Sequence, residues 1–206
     1  MQTIVEHPLI RVHITALRAK ETGADAFRNH LTAISRLLAF PALADLAIEP
    51  VRVVTPLTET EGGRLRAVPV LVPVLRAGLG MVEGFRDVIP DAIVSHLGMY
   101  RDHQTLLPVR YYSNFPKDCG THPFIVLDPM LATGGSAVDA IDYLKSEGVR
   151  NIRVVAVIAA PEGMARVFET HPDVHVYAGV QDQRLNQQGY ILPGLGDAGD
   201  RQFGTV

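Results

Sequence analysis

Asp128 stands at the end of a short apolar run, Phe124-Ile125-Val126-Leu127, and opens the octapeptide Asp128-Pro129-Met130-Leu131-Ala132-Thr133-Gly134-Gly135. A helical pattern begins directly afterwards at Ser136. An acid at the C-terminal end of a buried strand, then a small glycine-bearing loop, then a helix N-terminus, is an arrangement with definite chemistry. Backbone N–H groups of such a loop, together with the helix dipole, bind a phosphate. Thr133 and Ser136 add hydroxyl donors, and Gly134 and Gly135 permit close backbone approach. Asp128 can hold a hydroxyl-bearing or cationic group beside that phosphate. A sugar phosphate meets both demands. The loop has neither the Lys of a Walker phosphate loop nor the GxGxxG of a dinucleotide turn, so it is a phosphate cradle of another kind.

Three further segments carry groups suited to phosphate or base recognition. Arg76 leaves an apolar run and is followed by Gly78 and Gly80, where a guanidinium can clamp a diphosphate bidentately. Arg101 closes Gly98-Met99-Tyr100-Arg101 and opens a long polar stretch, so it can act from a flap that covers a charged leaving group. Residues 190–201 form a glycine-rich stretch whose amide edges can read a flat polar ligand such as a nucleobase. Read alone, each segment has a plain alternative: a ligand-free turn, Arg76 in a salt bridge, Arg101 on an exposed loop, and a C-terminal surface loop.

The elements that must position these groups follow from periodicity. Residues 25–39 place Phe27, Leu31, Ile34, Leu37 and Leu38 on one helical face, with Asp25 as N-cap and Pro41 beyond the end. Strands are expected at 51–54, after Pro69, at 92–97, 124–127, 152–158 and 174–178. Helices are expected at 77–88, at 136–146 and from Pro161 to about residue 169. Near-continuous apolar strands alternating with helices predict an α/β fold with a mainly parallel sheet flanked by helices on both faces. Ligands of such a sheet lie beyond the C-terminal strand ends, where Arg76, Arg101 and Asp128 fall. The tail after Gln181, rich in glycine, leaves little room for regular structure.

Composition bounds the function. At 206 residues the chain reads as one domain, 1–206. A net charge of −3 gives no general basic field, so nucleic acid is not an expected partner and phosphate recognition must be local. No apolar run approaches the ~18 residues of a membrane span, and the N-terminus lacks signal-peptide character. One cysteine, Cys119, permits no intrachain disulfide and predicts a cytoplasmic protein. Cys119 has no base nearby in sequence and reads as a bystander. His171 and His175 are four apart, but Pro172 intervenes, which argues against a helical metal pair. Asp45, Glu49 and residues 59–61 read as solvated surface.

Taken together, the motifs resemble the uracil phosphoribosyltransferase family, a type I phosphoribosyltransferase family, over nearly the whole chain. The matching pieces are VPVLRAGLGM at 72–81, GMYR at 98–101, VLDPMLATGGS at 126–136, AAPEG at 159–163 and GYILPGLGDAGDRQFGT at 189–205. HPLI at 7–10 and VTPL at 54–57 are also similar. The resemblance implies a phosphoribosyltransferase-like fold, with a hood of residues 181–206 plus the N-terminal segment and a flap at about 98–121. It implies conversion of uracil and phosphoribosyl pyrophosphate to UMP and diphosphate with Mg²⁺. Thr133, Gly134, Gly135 and Ser136 would cradle the 5′-phosphate, with Pro129, Met130, Leu131 and Ala132 completing that loop, and Asp128 would face the ribose. Arg76 and Arg101 match the diphosphate-contacting arginines. Ile191, Gly196, Asp197 and Ala198 match the uracil-binding positions, and Asp197 would also contact phosphoribosyl pyrophosphate, through the metal. Mg²⁺ would be held mainly by substrate phosphates. The family further implies a homodimer or higher homo-oligomer and GTP as a candidate activator. A nucleotide-sensing RNA-binding regulator is the rival within this fold, and the absence of a basic run weighs against it. The flap sequence from Asp102 to Leu107, and the stretch 110–122, depart from the family pattern. Pro129 after Asp128 agrees with the uracil branch, in contrast to the acidic pair of most relatives.

Overall fold

The computed structural model describes residues 1–101 and 108–205. The chain opens with β1 (Gln2–Ile4), α1 (Pro8–Arg18) and α2 (Ala24–Ala42), then a hairpin of β2 (Ile48–Val54) and β3 (Glu59–Leu65). Next come β4 (Val70–Pro73), α3 (Leu79–Val88), β5 (Ile93–Val94) and the antiparallel pair β6 (Leu97–Arg101) and β7 (Pro108–Ser113). The second half runs through β8 (Pro123–Leu127), β9 (Met130–Leu131), α4 (Gly135–Ser146), β10 (Asn151–Ala159), α5 (Pro161–Thr170) and β11 (His175–Gln181). It ends with β12 (Arg184–Leu185), β13 (Ile191–Leu192) and α6 (Ala198–Phe203).

The main sheet has the order β1-β11-β10-β8-β4-β5, and all its pairings are parallel. Its apolar strands divide their side chains between two cores because successive residues point to opposite faces. Leu71, Ile125, Leu127, Val155 and Val157 join α1, α2, α3 and α6 on one face. Val70, Val72, Phe124, Val126, Val154 and Ala156 join α4 and α5 on the other. The expected doubly covered parallel sheet is therefore present.

Several elements differ in detail. Helix α2 runs through Pro41 to Ala42, with Gly23 rather than Asp25 as N-cap, because buried Ala39 and Ala42 keep the last turn packed. The expected strand 92–97 is split. Strand β4 ends at Pro73, which lacks a ladder donor, so β5 pairs over two residues only and Leu97 starts the separate β6–β7 ribbon. The acidic residues Glu59 and Glu61 are exposed, as expected, but lie in a strand of the β2–β3 hairpin. The tail contains a short helix, α6, which glycine content concealed.

Candidate active site

The chain leaves β8 at Asp128 and is re-paired with β10 two residues later. Asp128 N–H donates to Val155 O at 3.1 Å, and Pro129 O accepts from Val157 N at 3.2 Å and Ile158 N at 3.0 Å. Strand β9 then resumes the ladder. The Asp128 side chain is thus pinned at the C-terminal edge of the sheet. It is 9% exposed, and its Oδ1 accepts the Met130 N–H at 3.2 Å. Burial pushes its pKa up to about 6, with the Met130 hydrogen bond opposing.

Beyond Leu131 the loop sits on the N-terminus of α5. Leu131 O accepts from Ala160 N at 2.9 Å. Gly134 is the N-cap of α4 with φ of 75°, and a Cβ there would lie 2.7 Å from Gly163 O. Only glycine suits both demands. Thr133 Oγ1 accepts from Gly135 N at 3.4 Å. Thr133 and Ser136 are exposed, whereas Gly134 and Gly135 are buried. The loop therefore offers hydroxyls and a helix N-terminus to solvent beside a buried carboxylate.

The Arg76 turn is packed against the same strand end. Val74 N donates to Leu127 O at 2.9 Å, and Gly78 N donates to Val74 O at 2.8 Å. A Cβ on Gly78 would lie 2.6 Å from Val74 N and against Leu127 O. The peptide bond Leu75–Arg76 is cis. Arg76 is exposed, as its plain alternative requires, and it is in a salt bridge. Its partner is Asp200 of the tail, with Nη2 to Oδ1 at 2.8 Å. Arg101 ends β6 as a backbone position; its side chain, and residues 102–107 of the expected flap, lie outside the described residues.

The tail is built onto the Arg76 turn. Asp197 caps α6 by accepting the Asp200 N–H at 2.8 Å, and Ile191 and Ala198 are buried. Gln202 is 1% exposed and donates through Nε2 to Ala77 O at 2.8 Å. Its side chain fills the space a Cβ of Gly80 would need, so Gly80 admits α6. The sheet edge thus brings together Asp128, the loop 129–136, Arg76 and, through α6, the turn 196–198.

Residues that hold this arrangement were not singled out in the sequence, although Arg201 and Glu162 lie within its matching motifs. Arg18 at the end of α1 pairs with buried Asp182 through two bonds of 2.5 and 3.1 Å. Asp182 also accepts Gly194 N–H at 2.9 Å, fixing the chain just after the cis Leu192–Pro193 bond. Arg201 donates to the carbonyls of Leu17, Leu195, Ala19 and Thr22 and stacks on Phe27. Glu162 at the start of α5 accepts the Leu185 N–H at 3.0 Å. Most of these contacts join residues far apart in the sequence, up to 184 positions, which no local pattern reveals. His175 is engaged by Thr3 and stacks on Tyr177. Cys119 is a free thiol that donates to Pro116 O.

The comparisons with known proteins point the same way. The family model described as uracil phosphoribosyltransferase matches residues 4–205. A uracil phosphoribosyltransferase of Finegoldia magna is 52% identical over 204 residues, covering 98% of each chain. One of Clostridioides difficile is 49% identical over 211 residues, covering 100% of each. A solved protein of Aquifex aeolicus superposes with a TM-score of 0.92 at 38% identity, covering 100% of this chain and 99% of that one. A hypoxanthine-guanine phosphoribosyltransferase of Bacillus anthracis shares the fold alone, with a TM-score of 0.54 at 13% identity over 77% of this chain and 80% of the other. With a family model spanning nearly all its residues and relatives at about half identity throughout, the chain belongs to the uracil phosphoribosyltransferase family.

Proposed function

We propose that this chain transfers the phosphoribosyl group of phosphoribosyl pyrophosphate to N1 of uracil, giving UMP and diphosphate. One observation carries the reading. Asp128 is buried at the end of β8, with the glycine loop 131–135 on one side and the Arg76 turn packed on the preceding residue on the other. A sugar with a phosphate at each end spans that arrangement. In this reading Thr133, Gly134, Gly135 and Ser136 cradle the 5′-phosphate with residues 129–132 completing the loop, Asp128 faces the ribose, and Arg76 and Arg101 bind the diphosphate. Ile191 and the turn Gly196, Asp197, Ala198 receive the base. The whole chain 1–206 then works as one domain, with residues 181–206 and the N-terminal segment as hood and residues 98–121 as flap.

The C1′–diphosphate bond breaks as N1 of uracil bonds to C1′ from the opposite face, and the N1 proton passes to a substrate oxygen or water. Positive charge develops on the ribose. Asp128 as carboxylate stabilises that charge, and the arginines stabilise the departing diphosphate. Among the described residues no three His, Cys, Asp or Glu side chains cluster as a metal cage. That sparse donor set suits Mg²⁺, which keeps several waters and binds through substrate phosphates with few protein carboxylates. Asp197, exposed at the turn, is the carboxylate that would reach the ion through water. When bound, the ion neutralises diphosphate charge.

A base panel with phosphoribosyl pyrophosphate and Mg²⁺ tests the reading. Uracil is expected to be turned over and cytosine rejected by a factor of about 10⁴, because cytosine's amino group leaves the hydrogen-bonding groups of the base site unpaired. Equal kcat/KM for the two bases would sink it. Homo-oligomerisation belongs to the same proposal. It is supported by the exposed apolar residues Phe40, Ile48, Val54 and Leu57. Activation by GTP rests on family resemblance and is tested by adding GTP to the assay. A cytoplasmic setting is supported by the lone free thiol of Cys119; among the described residues no helix is long and apolar enough to cross a membrane.

A further inference from the structure

We infer that Asp200 is a positioning residue that aims the Arg76 guanidinium at the diphosphate and ties it to the base-binding turn. The inference deepens the proposed function, because it rests on the reading of Arg76 as a diphosphate-binding group.

Arg76 has an exposed side chain, 57% accessible, on a long flexible stem. An unrestrained arginine must lose much rotamer freedom before it can clamp a ligand. Here the freedom is already reduced. Asp200 Oδ1 accepts from Nη2 at 2.8 Å, and the guanidinium lies 5.9 Å from the centre of the Phe203 ring. Among the described residues Arg76 bonds through Nη2, so its Nε and Nη1 donors remain for a ligand.

Asp200 is itself fixed. The Thr205 hydroxyl donates to its Oδ1 at 2.6 Å, and Thr205 N donates to its carbonyl at 3.1 Å. Gly204, with φ of 67°, turns the chain so that Thr205 can reach back. The Asp200 N–H goes to Asp197 at 2.8 Å. One short helix therefore carries the base-turn residue Asp197 at its cap and the Arg76 partner Asp200 three residues on. An exposed ion pair adds little to stability. One that joins residues 124 apart, on the turn before α3 and on α6, is better explained by orientation. The competing possibility is that Asp200 blocks Arg76 and must be displaced by substrate, which predicts the opposite sign.

The test uses the full chain and four variants: Asp200→Asn, Thr205→Val, Arg76→Ala and the Arg76→Ala/Asp200→Asn double variant. Inorganic diphosphate with Mg²⁺ is titrated by calorimetry, and initial rates are measured against both substrates. Asp200→Asn is expected to raise the Kd for diphosphate and the KM for phosphoribosyl pyrophosphate about tenfold, with the KM for uracil changed less than about twofold. Thr205→Val should shift the same two constants in the same direction and by less. In the Arg76→Ala background, Asp200→Asn should add less than about twofold, because its effect runs through Arg76. Unchanged or tighter diphosphate binding by Asp200→Asn, or full additivity in the double variant, would overturn the inference. The two readings fail separately. If Arg76→Ala weakens diphosphate binding, the assignment of Arg76 stands whatever Asp200 does. If it binds diphosphate like the parent chain, that assignment falls and the inference with it. Failure to form UMP sinks the base assignment, while the calorimetry still decides the role of Asp200.

Discussion

Asp128 is held at a cost to stability, which gives its role two opposed signatures. Its carboxyl has a pKa of about 6 in the folded chain because burial disfavours the charge. In the unfolded chain it ionises near 3.9. Below about pH 4 the group is protonated in both states and contributes nothing to the pH dependence. As pH rises from about 4 to 6, the unfolded chain releases its proton first, and folding loses up to about 3 kcal/mol relative to an uncharged side chain, a loss complete above pH 6. Asp128→Asn keeps an oxygen for the Met130 N–H and removes the charge. The variant is therefore expected to resist urea better than the parent at pH 8 and equally at pH 4. Its kcat should nevertheless fall by at least about 10²-fold, since the ribose charge loses its carboxylate. An Asn variant with near-normal turnover removes the assigned role; one less stable at pH 8 removes the burial account. In the parent chain kcat/KM for phosphoribosyl pyrophosphate should decline as pH falls through 6, because the protonated carboxyl cannot stabilise positive charge.

At the scale of elements, the site depends on how loops seat on neighbouring backbone. Gly134 combines a left-handed φ with a Cβ position 2.7 Å from Gly163 O. Gly134→Ala is expected to lower stability by about 2 kcal/mol from the conformation alone, with more from the clash. The displaced loop should raise the KM for phosphoribosyl pyrophosphate more than that for uracil, read from thermal melts and initial rates. A silent substitution would mean that the loop shifts freely. This loop was legible in the sequence because its parts are local: an apolar strand, an acid, two glycines and a helix follow one another. Strand β3 was not legible, since Glu59–Leu65 has neither alternation nor β-branched density and is formed by its pairing with β2. Helix α6 was hidden for a related reason. Its six residues are too few to persist alone. They are held by Gln202 on Ala77 and Arg28 on Gln202 O, at separations of 125 and 174 positions. The segments proposed to bear the site were thus visible as segments, while the packing that assembles the Asp128 loop, the Arg76 turn and the tail was not.

At the scale of the whole molecule, the N-terminal helix and the tail meet on the side proposed to receive the base. Helix α1 ends at Arg18, whose guanidinium meets Asp182 beyond β11, 164 positions away, and also reaches Gly194 O at 3.3 Å. The Asp182 side chain is 4% exposed and that of Arg18 is 24% exposed. A largely buried pair contributes little net stability against an apolar replacement, yet removing one partner leaves a buried charge unpaired. Arg18→Met keeps the stem's packing and deletes the charge. The expected loss is about 3 kcal/mol, seen as a lower urea midpoint with an unchanged m-value. Asp182 would still accept the Gly194 N–H, but its second partner would be gone, and the chain from β11 to the turn 196–198 would be less firmly held. The KM for uracil should therefore rise, by about fivefold or more, while diphosphate affinity, proposed to rest on Arg76 and α6, should change little. A variant that loses stability yet keeps the parent's uracil KM at a temperature where it is fully folded would make the pair a fastener of the fold only. A rise confined to uracil would show that the junction between the two ends shapes the base site.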